Sequence, residues 1–465
     1  MSVAAEAGRP LRVLFLAFEF PPLTAGGVFR AIGFAEHLGA CGIDLDVVTV
    51  READYAAWSG APTDPALSAR IPANVRVHRI PSGYPSWYWR LVSSKIGFRL
   101  AQYAHWGDPV SMFWRRPLLA ALDRLVAERR PDVLLATAPP FGVAVLAGEV
   151  ARRYRVPWVV DWRDPWSLWC ATPMPSVAHY QYVHSRETAL LRGANVSVAT
   201  SHVTRDDWVR HFHGVDPNRL VTIYNGYDRA ALRAPDSAVT GDGKRRIAYV
   251  GSFYFDPRTR DAMRRPIWRR PPHQWLFYTP RTEDWLYRSP YFFLRGLRKY
   301  ADRSAGLEQR LVVEFAGIVP PWLPQMLRET GTESLVRLLG SIPHADALAL
   351  QRRADAVLLT SAKVDAGRDY SVAGKTFEYI GLRRPILGVL TDGAMRDLVD
   401  RSGLGILADP DDPDAVAAAI ERVVTGNVVT TPDEAFIAEC DRGISAQQMA
   451  MVLRRAAAEG YRADA

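Results

Sequence analysis

Apolar runs of strand length recur along this chain, each followed by a glycine- or proline-bearing loop and then by apolar positions at helical spacing. Leu11 to Phe20 reads as a buried first strand, Pro21 to Gly27 as its exit loop, Ala31 to Leu38 as a helix and Leu45 to Val50 as a second strand. Further strands are predicted at Asp132 to Thr137, Trp158 to Asp161, Val196 to Thr200 and Val221 to Ile223, with a helix over Val143 to Tyr154. After a polar, glycine-containing stretch from Ala230 to Gly243, the pattern starts again. Strands are predicted at Arg246 to Val250, Leu311 to Phe315, Val336 to Leu339, Ala356 to Thr360, Pro385 to Val389 and Gly405 to Leu407. Strands alternating with helices form doubly wound parallel sheets, so the class is α/β with two such halves. The boundaries predicted are 1–235, 236–440 and a C-terminal helical segment, 441–465.

Ligands of such sheets bind off the carboxyl ends of the strands, so the strand-exit loops hold the candidate chemistry. The run from Val357 to Lys363 ends in a loop through Arg368, and Gly374-Lys375-Thr376 then opens a helix that holds Glu378. Helix-end amides and the helix dipole favour an anion there. A P-loop needs a further glycine at position 369, which is Asp369, so a nucleoside triphosphatase is excluded. A tight strand-to-helix turn with Lys375 in solvent is the plain alternative. In the first half, Gly26 and Gly27 allow close approach of a ligand and Arg30 is placed to meet a phosphate, although a glycine turn with a surface arginine reads equally well. Asp164, beside Arg163 and between Trp162 and Trp166, stands at a strand end where it could orient a ligand or pair with its neighbour.

The chain has 465 residues, 48% hydrophobic, and a net charge of +8. Length excludes a single ordinary core. Cys41, Cys170 and Cys440 lie too far apart for a metal or disulfide framework, which suits a reducing compartment. The N-terminal stretch has no apolar run long enough for a signal core or membrane span, so a cytoplasmic protein is expected. Between Asp256 and Tyr300, eleven Arg or Lys face four acids, which accounts for most of the excess charge. From Tyr84 to Arg116, Trp87, Tyr88, Trp89, Phe98, Trp106 and Phe113 interleave with Arg90, Lys95 and Arg99. That mixture suits an anionic membrane surface or the edge of a core. No nucleic-acid module surrounds either segment, and no nucleic-acid partner is expected. Asp409 to Asp414 precede a helix and read as caps, as Asp44 and Asp46 read as strand residues; no metal is expected.

Phe20-Pro21-Pro22 with Gly26-Gly27 and Arg30, then Asp161 to Trp166, then Ile223 to Asp228, in this order and spacing, resemble the N-terminal domain of retaining glycosyltransferases of family four. The resemblance implies the GT-B architecture, two Rossmann-like domains facing across a cleft. It implies a nucleotide-sugar donor of hexosyl or N-acetylhexosaminyl type held by the second domain, and a lipid-linked or glycan acceptor held by the first. Peripheral contact with a membrane is expected from the aromatic and basic segments, and a place in surface polysaccharide or glycolipid synthesis is expected of such a transferase. Glu378 matches the second of two glutamates spaced eight apart and would hold the ribose; the first falls on Tyr370, a departure for which neighbouring Asp369 could substitute. Gly251 and the backbone of Ser371, Val372, Ala373, Gly374, Lys375 and Thr376 would line the donor diphosphate. Arg288 and Lys363 are the expected diphosphate cations, with Arg258 a rival to the first, and Asp164 is expected to orient acceptor or sugar. The family needs no cofactor or metal. A nucleotide-sugar 2-epimerase of the same layout, using His179, His184 or His202, and a non-catalytic nucleotide-sugar binder remain as alternatives.

Overall fold

The computed structural model describes residues 9–58, 62–169, 173–233 and 243–463. Cys170, the first eight residues and most of the predicted linker lie outside them. Two compact units form: the first comprises the chain to Tyr224, Leu276–Thr279 and the segment from Arg442, the second Asn225–Trp275 and Pro280–Asp441. These divisions differ from the predicted boundaries in two respects. The first switch falls just after the last strand of the first sheet, ahead of the polar stretch. A four-residue piece of the basic segment also joins unit 1, where Tyr278 and Met174 exchange backbone hydrogen bonds of 2.8 and 3.0 Å.

Unit 1 holds a seven-stranded parallel sheet of β1 (Leu11–Leu16), β2 (Ile43–Val50), β3 (Arg76–Ile80), β4 (Val133–Ala138), β5 (Trp158–Trp162), β6 (Val196–Ala199) and β7 (Leu220–Thr222), in the order β3-β2-β1-β4-β5-β6-β7. Its central strands are buried on both faces, which is why they read as unbroken apolar runs. The edge strand β3 was not visible in the sequence because Arg-Val-His-Arg-Ile carries little apolar signal. It is held instead by Arg76, which bonds Asp44 at 2.5 Å and Asp46 at 2.8 Å across the β2–β3 pairing. The helix Arg442–Glu459 places Ala446, Met449 and Leu453 in the same core cluster as Ile32, Ala35 and Leu38.

Unit 2 repeats the winding. β8 (Arg245–Val250), β10 (Leu311–Ala316), β11 (Val336–Gly340), β12 (Ala356–Thr360), β14 (Ile386–Val389) and β15 (Gly405–Ala408) form a parallel sheet in the order β11-β10-β8-β12-β14-β15. Two short strands, β9 (Glu283–Asp284) and β13 (Lys363–Val364), pair antiparallel beside it. In each unit the winding reverses next to the first strand, between β1 and β4 and between β8 and β12. A crevice for ligand opens at such a reversal. Among the described residues, no helix is long and apolar enough to cross a membrane.

Candidate functional site

Off the carboxyl ends of β8 and β12, at the reversal in unit 2, lies a cavity of about 160 Å³. Its walls include Tyr249, Arg288, Ser361, Asp369, Ser371 and Lys375, together with Val372 and Ala373. The helix Gly374–Gly381 begins at this wall with Ala373 in extended conformation and no side-chain cap. Its positive end is therefore open to an anion.

Two cations face the cavity. Arg288 donates from Nη2 to Ser371 Oγ at 3.0 Å and ion-pairs with the buried Glu283. Burial works against the guanidinium charge, but Asp369 and Glu283 more than offset it and raise its pKa. Lys375 holds its ammonium 3.7 Å from the centre of the Tyr249 ring. Among the described residues it forms no ion pair, and burial pushes its pKa down to about 7 against the opposing pull of Glu378. Gly251 keeps this space open: with φ at +114° it adopts backbone that side chains avoid, and a Cβ there would stand 3.0 Å from Lys375 Nζ.

Asp369 shapes the loop. Its carboxylate accepts from the Ala362 amide at 3.1 Å, the Ser371 amide at 2.9 Å and Ser371 Oγ at 2.6 Å. Its backbone runs against Gly393, where a Cβ would come within 2.4 Å of the Asp369 carbonyl oxygen. Tyr370, the departure from the double-glutamate pattern, is buried. Thr376 is buried one turn into the helix, and Glu378 is half-buried behind Lys375 without lining the cavity.

Several expected residues stand elsewhere. Lys363, expected at the diphosphate, bonds Asp411 at 2.5 Å and lies 5.1 Å from the Tyr287 ring centre, outside the cavity lining. The correction is that Lys375, read from the sequence as part of the phosphate-binding turn, is the lysine that reaches the cavity. Arg258 is exposed on the helix Pro257–Arg264 and does not line it either. Of Asp409 to Asp414, Asp412 caps the helix, its carboxylate accepting from the amides of Asp414 and Ala415, whereas Asp411 pairs with Lys363 and Asp414 with Lys299 and Arg303.

In unit 1, Arg30 is not offered to a phosphate. It is buried, bonded to Asp161 at 2.7 to 3.0 Å and to the Tyr224 carbonyl at 3.1 Å, while Thr137 also donates to Asp161. Gly26 is exposed with open space beside it, whereas Gly27 makes room for the Arg163 guanidinium, which a Cβ would overlap. Arg163 pairs with Glu19 at 3.1 Å, and Asp164 sits half-buried in the loop after β5. His179 bonds Ser176 and stacks on Trp106, and His184 stacks on Phe212, so both histidines serve packing. Glu283, Tyr249 and Met395 were not singled out from sequence. Tyr249 lies within a predicted strand and Met395 beyond the predicted loop, and only folding brings them to Lys375.

Residues 26–226 match the family model described as a glycosyl transferase 4-like domain. The chain is 24% identical over 435 residues to the glycogen synthase of Mycobacterium tuberculosis, covering 89% of this chain and 86% of that protein. Among solved structures, the HepE protein of Anabaena, determined in complex with UDP, is 15% identical, with 95% of each chain covered and a TM-score of 0.56. The trehalose 6-phosphate synthase of Burkholderia multivorans is 13% identical, with 97% of this chain and 99% of that one covered and a TM-score of 0.57.

Proposed function

We propose that this chain, which matches a glycosyl transferase 4-like domain model over residues 26–226 and shares its two-unit fold with GT-B structures, moves a hexosyl or N-acetylhexosaminyl group from a nucleoside-diphosphate donor to an acceptor hydroxyl with retention of configuration. The observation that carries this reading is the cavity at the unit 2 reversal, where Arg288, Lys375 and an uncapped helix start converge. UDP is the first nucleotide to test, since the HepE structure holds it.

The donor diphosphate lies against Ser371 to Thr376 and Glu378 receives the ribose hydroxyls. As the bond between the anomeric carbon and the diphosphate oxygen breaks, charge grows on that oxygen. Arg288 and Lys375 are fixed cations in a partly dry site and stabilise it without reorganising, and no metal is required for the step. The acceptor oxygen bonds the anomeric carbon on the face that the diphosphate leaves, and the acceptor proton passes to the departing diphosphate. Unit 1 receives the acceptor, with Asp164 orienting it. A lipid-linked or glycan acceptor in surface polysaccharide or glycolipid synthesis, met at the cytoplasmic face of a membrane, suits the aromatic and basic surface of unit 1.

Incubating the protein with a panel of nucleotide sugars, with and without acceptor, tests the reading. Transfer needs acceptor, epimerisation does not, and a binder without activity turns nothing over. A nucleoside diphosphate at about 100 times its Kd should stabilise the fold by about 2.7 kcal/mol. Glu378→Ala should abolish that thermal shift, and an undiminished shift would remove Glu378 from the donor site.

A further inference from the structure

A larger cavity, about 670 Å³, lies wholly within unit 1 and has no part in the donor chemistry. Its size falls in the range that small ligands occupy. One wall comes from the helices Ser86–Ser93 and Lys95–Ala104, through Tyr88, Trp89, Phe98 and Ala101. The other comes from Phe141 and Trp166, in the loops that leave β4 and β5. The lining is mostly apolar, with Gln102, His105 and His179 among its polar members and Asp108 at the end beside Phe141. There Asp108 accepts from the Val110 amide at 2.9 Å and from the amides of Phe141 and Gly142. That end therefore lies at the strand termini, where sheets of this winding hold the reacting part of a ligand.

Outside the cavity, the same two helices do not cover their apolar side chains. Ile96 is 71% exposed, Leu100 61%, Trp87 59% and Phe98 51%. A cluster of large exposed apolar groups on one surface marks an interaction site. Arg90, Lys95 and Arg99 are exposed among them and form no ion pairs among the described residues, and no acidic residue occurs from Tyr84 to Gly107. Apolar groups ringed by unpaired cations complement an anionic bilayer rather than an acidic or neutral protein face. Phe98 belongs to both features: it is on the exposed face and in the cavity wall, so an apolar path joins the surface to the cavity.

We propose that this cavity takes the hydrocarbon chain of a lipid-borne acceptor, drawn past Phe98 from an anionic bilayer on which the helices Ser86–Ser93 and Lys95–Ala104 rest. The chain lies among the aromatic rings, and the polar head reaches the Asp108 end, off β4 and β5. The word acceptor rests on the glycosyl-transfer reading above; the occupancy of the cavity by a hydrocarbon chain does not.

The test uses the full chain without donor. Binding of n-alkyl glucosides, kept below their micelle concentration, is followed by tryptophan fluorescence, since Trp89 and Trp166 line the cavity. Affinity should rise about fourfold per added methylene until the cavity is filled. Ala101→Trp, which fills the cavity, should lower affinity for the longest glucoside roughly tenfold or more. Phe98→Ala should do the same at an exposed position that the fold tolerates, which covers the case in which the tryptophan variant fails to fold. Ile96→Ser with Leu100→Ser should keep glucoside affinity but lose sedimentation with phosphatidylcholine–phosphatidylglycerol vesicles. Affinity independent of chain length, equal binding of a nitrophenyl glucoside and the longest alkyl glucoside, or full affinity in both cavity variants would overturn the proposal. Absence of sugar transfer in the nucleotide-sugar panel, with chain-length dependence intact, would remove the transfer reading alone.

Discussion

Lys375 is a liability to the fold that the proposed donor would turn to use. Its folded pKa of about 7 lies below its ordinary value of 10.5, so between these values the unfolded chain binds the extra proton. Stability therefore rises with pH across that window, and below it the buried ammonium costs free energy. Lys375→Met should raise the melting temperature of the ligand-free protein at pH 7 by a few degrees while lowering nucleoside-diphosphate affinity. In the wild type, a diphosphate bound as proposed would restore the proton to Lys375. Binding above pH 7 should take up a proton, and affinity should fall by up to about tenfold per pH unit. Calorimetry in buffers of different ionisation enthalpy measures both; pH-independent binding would mean that Lys375 does not meet the phosphates. Arg30 makes the opposite case. It is fully engaged with buried Asp161, so Arg30→Met leaves a buried carboxylate unpaired and should destabilise the protein by about 3–5 kcal/mol. Denaturant unfolding reads that cost, and nucleoside-diphosphate affinity in the variant that still folds should match the wild type.

The element that builds the proposed donor site is the loop between β12 and the helix Gly374–Gly381, and Asp369 is its clasp. Asp369→Ala removes three hydrogen bonds that tie Ala362 to Ser371. At about 1 kcal/mol each, the loss is about 3 kcal/mol, and because Ser371 also steadies Arg288, diphosphate affinity should fall with it. Affinity retained despite a lowered melting temperature would separate the clasp from the site. This loop also marks how far the sequence could be read. The apolar run of β12, the helix start at Gly374 and the central strands of both sheets were legible, because burial on both faces writes itself into consecutive apolar residues. Which lysine serves the cavity was not. Lys363 and Lys375 flank the same loop, and the choice is made by Asp411, 48 residues from Lys363, and by Tyr249, on a different strand from either lysine. Arg30 was misread for the same reason, since its partner Asp161 is 131 residues away. Long-range pairing of charges has no local signature in a single chain. Strand β3 escaped because its stability comes from Arg76 and the aspartates of β2 rather than from apolar spacing.

At the scale of the whole molecule, the chain finishes unit 1 only after it has completed unit 2. The helix Arg442–Glu459 supplies Ala446, Met449, Ala450, Leu453 and Ala456 to the core cluster that also contains Ile32, Ala35 and Leu38. Burial of a Met or Leu side chain contributes about 1.5–3 kcal/mol each, and with the alanines the helix supplies a large part of the roughly 5–15 kcal/mol by which a domain is stable. A chain ending at Asp441 keeps every described residue of unit 2, including the Arg229–Asp441 pair at 2.8 Å, but leaves that face of unit 1 uncovered. Scanning calorimetry of the shortened chain should lose the cooperative transition of unit 1 and keep that of unit 2, which a nucleoside diphosphate should still move upward in temperature. Limited proteolysis should then cut before Tyr224 rather than between Pro280 and Asp441. Two intact transitions would show that the last helix is an accessory to unit 1, and loss of the diphosphate-responsive transition would show that the donor cavity depends on residues outside unit 2.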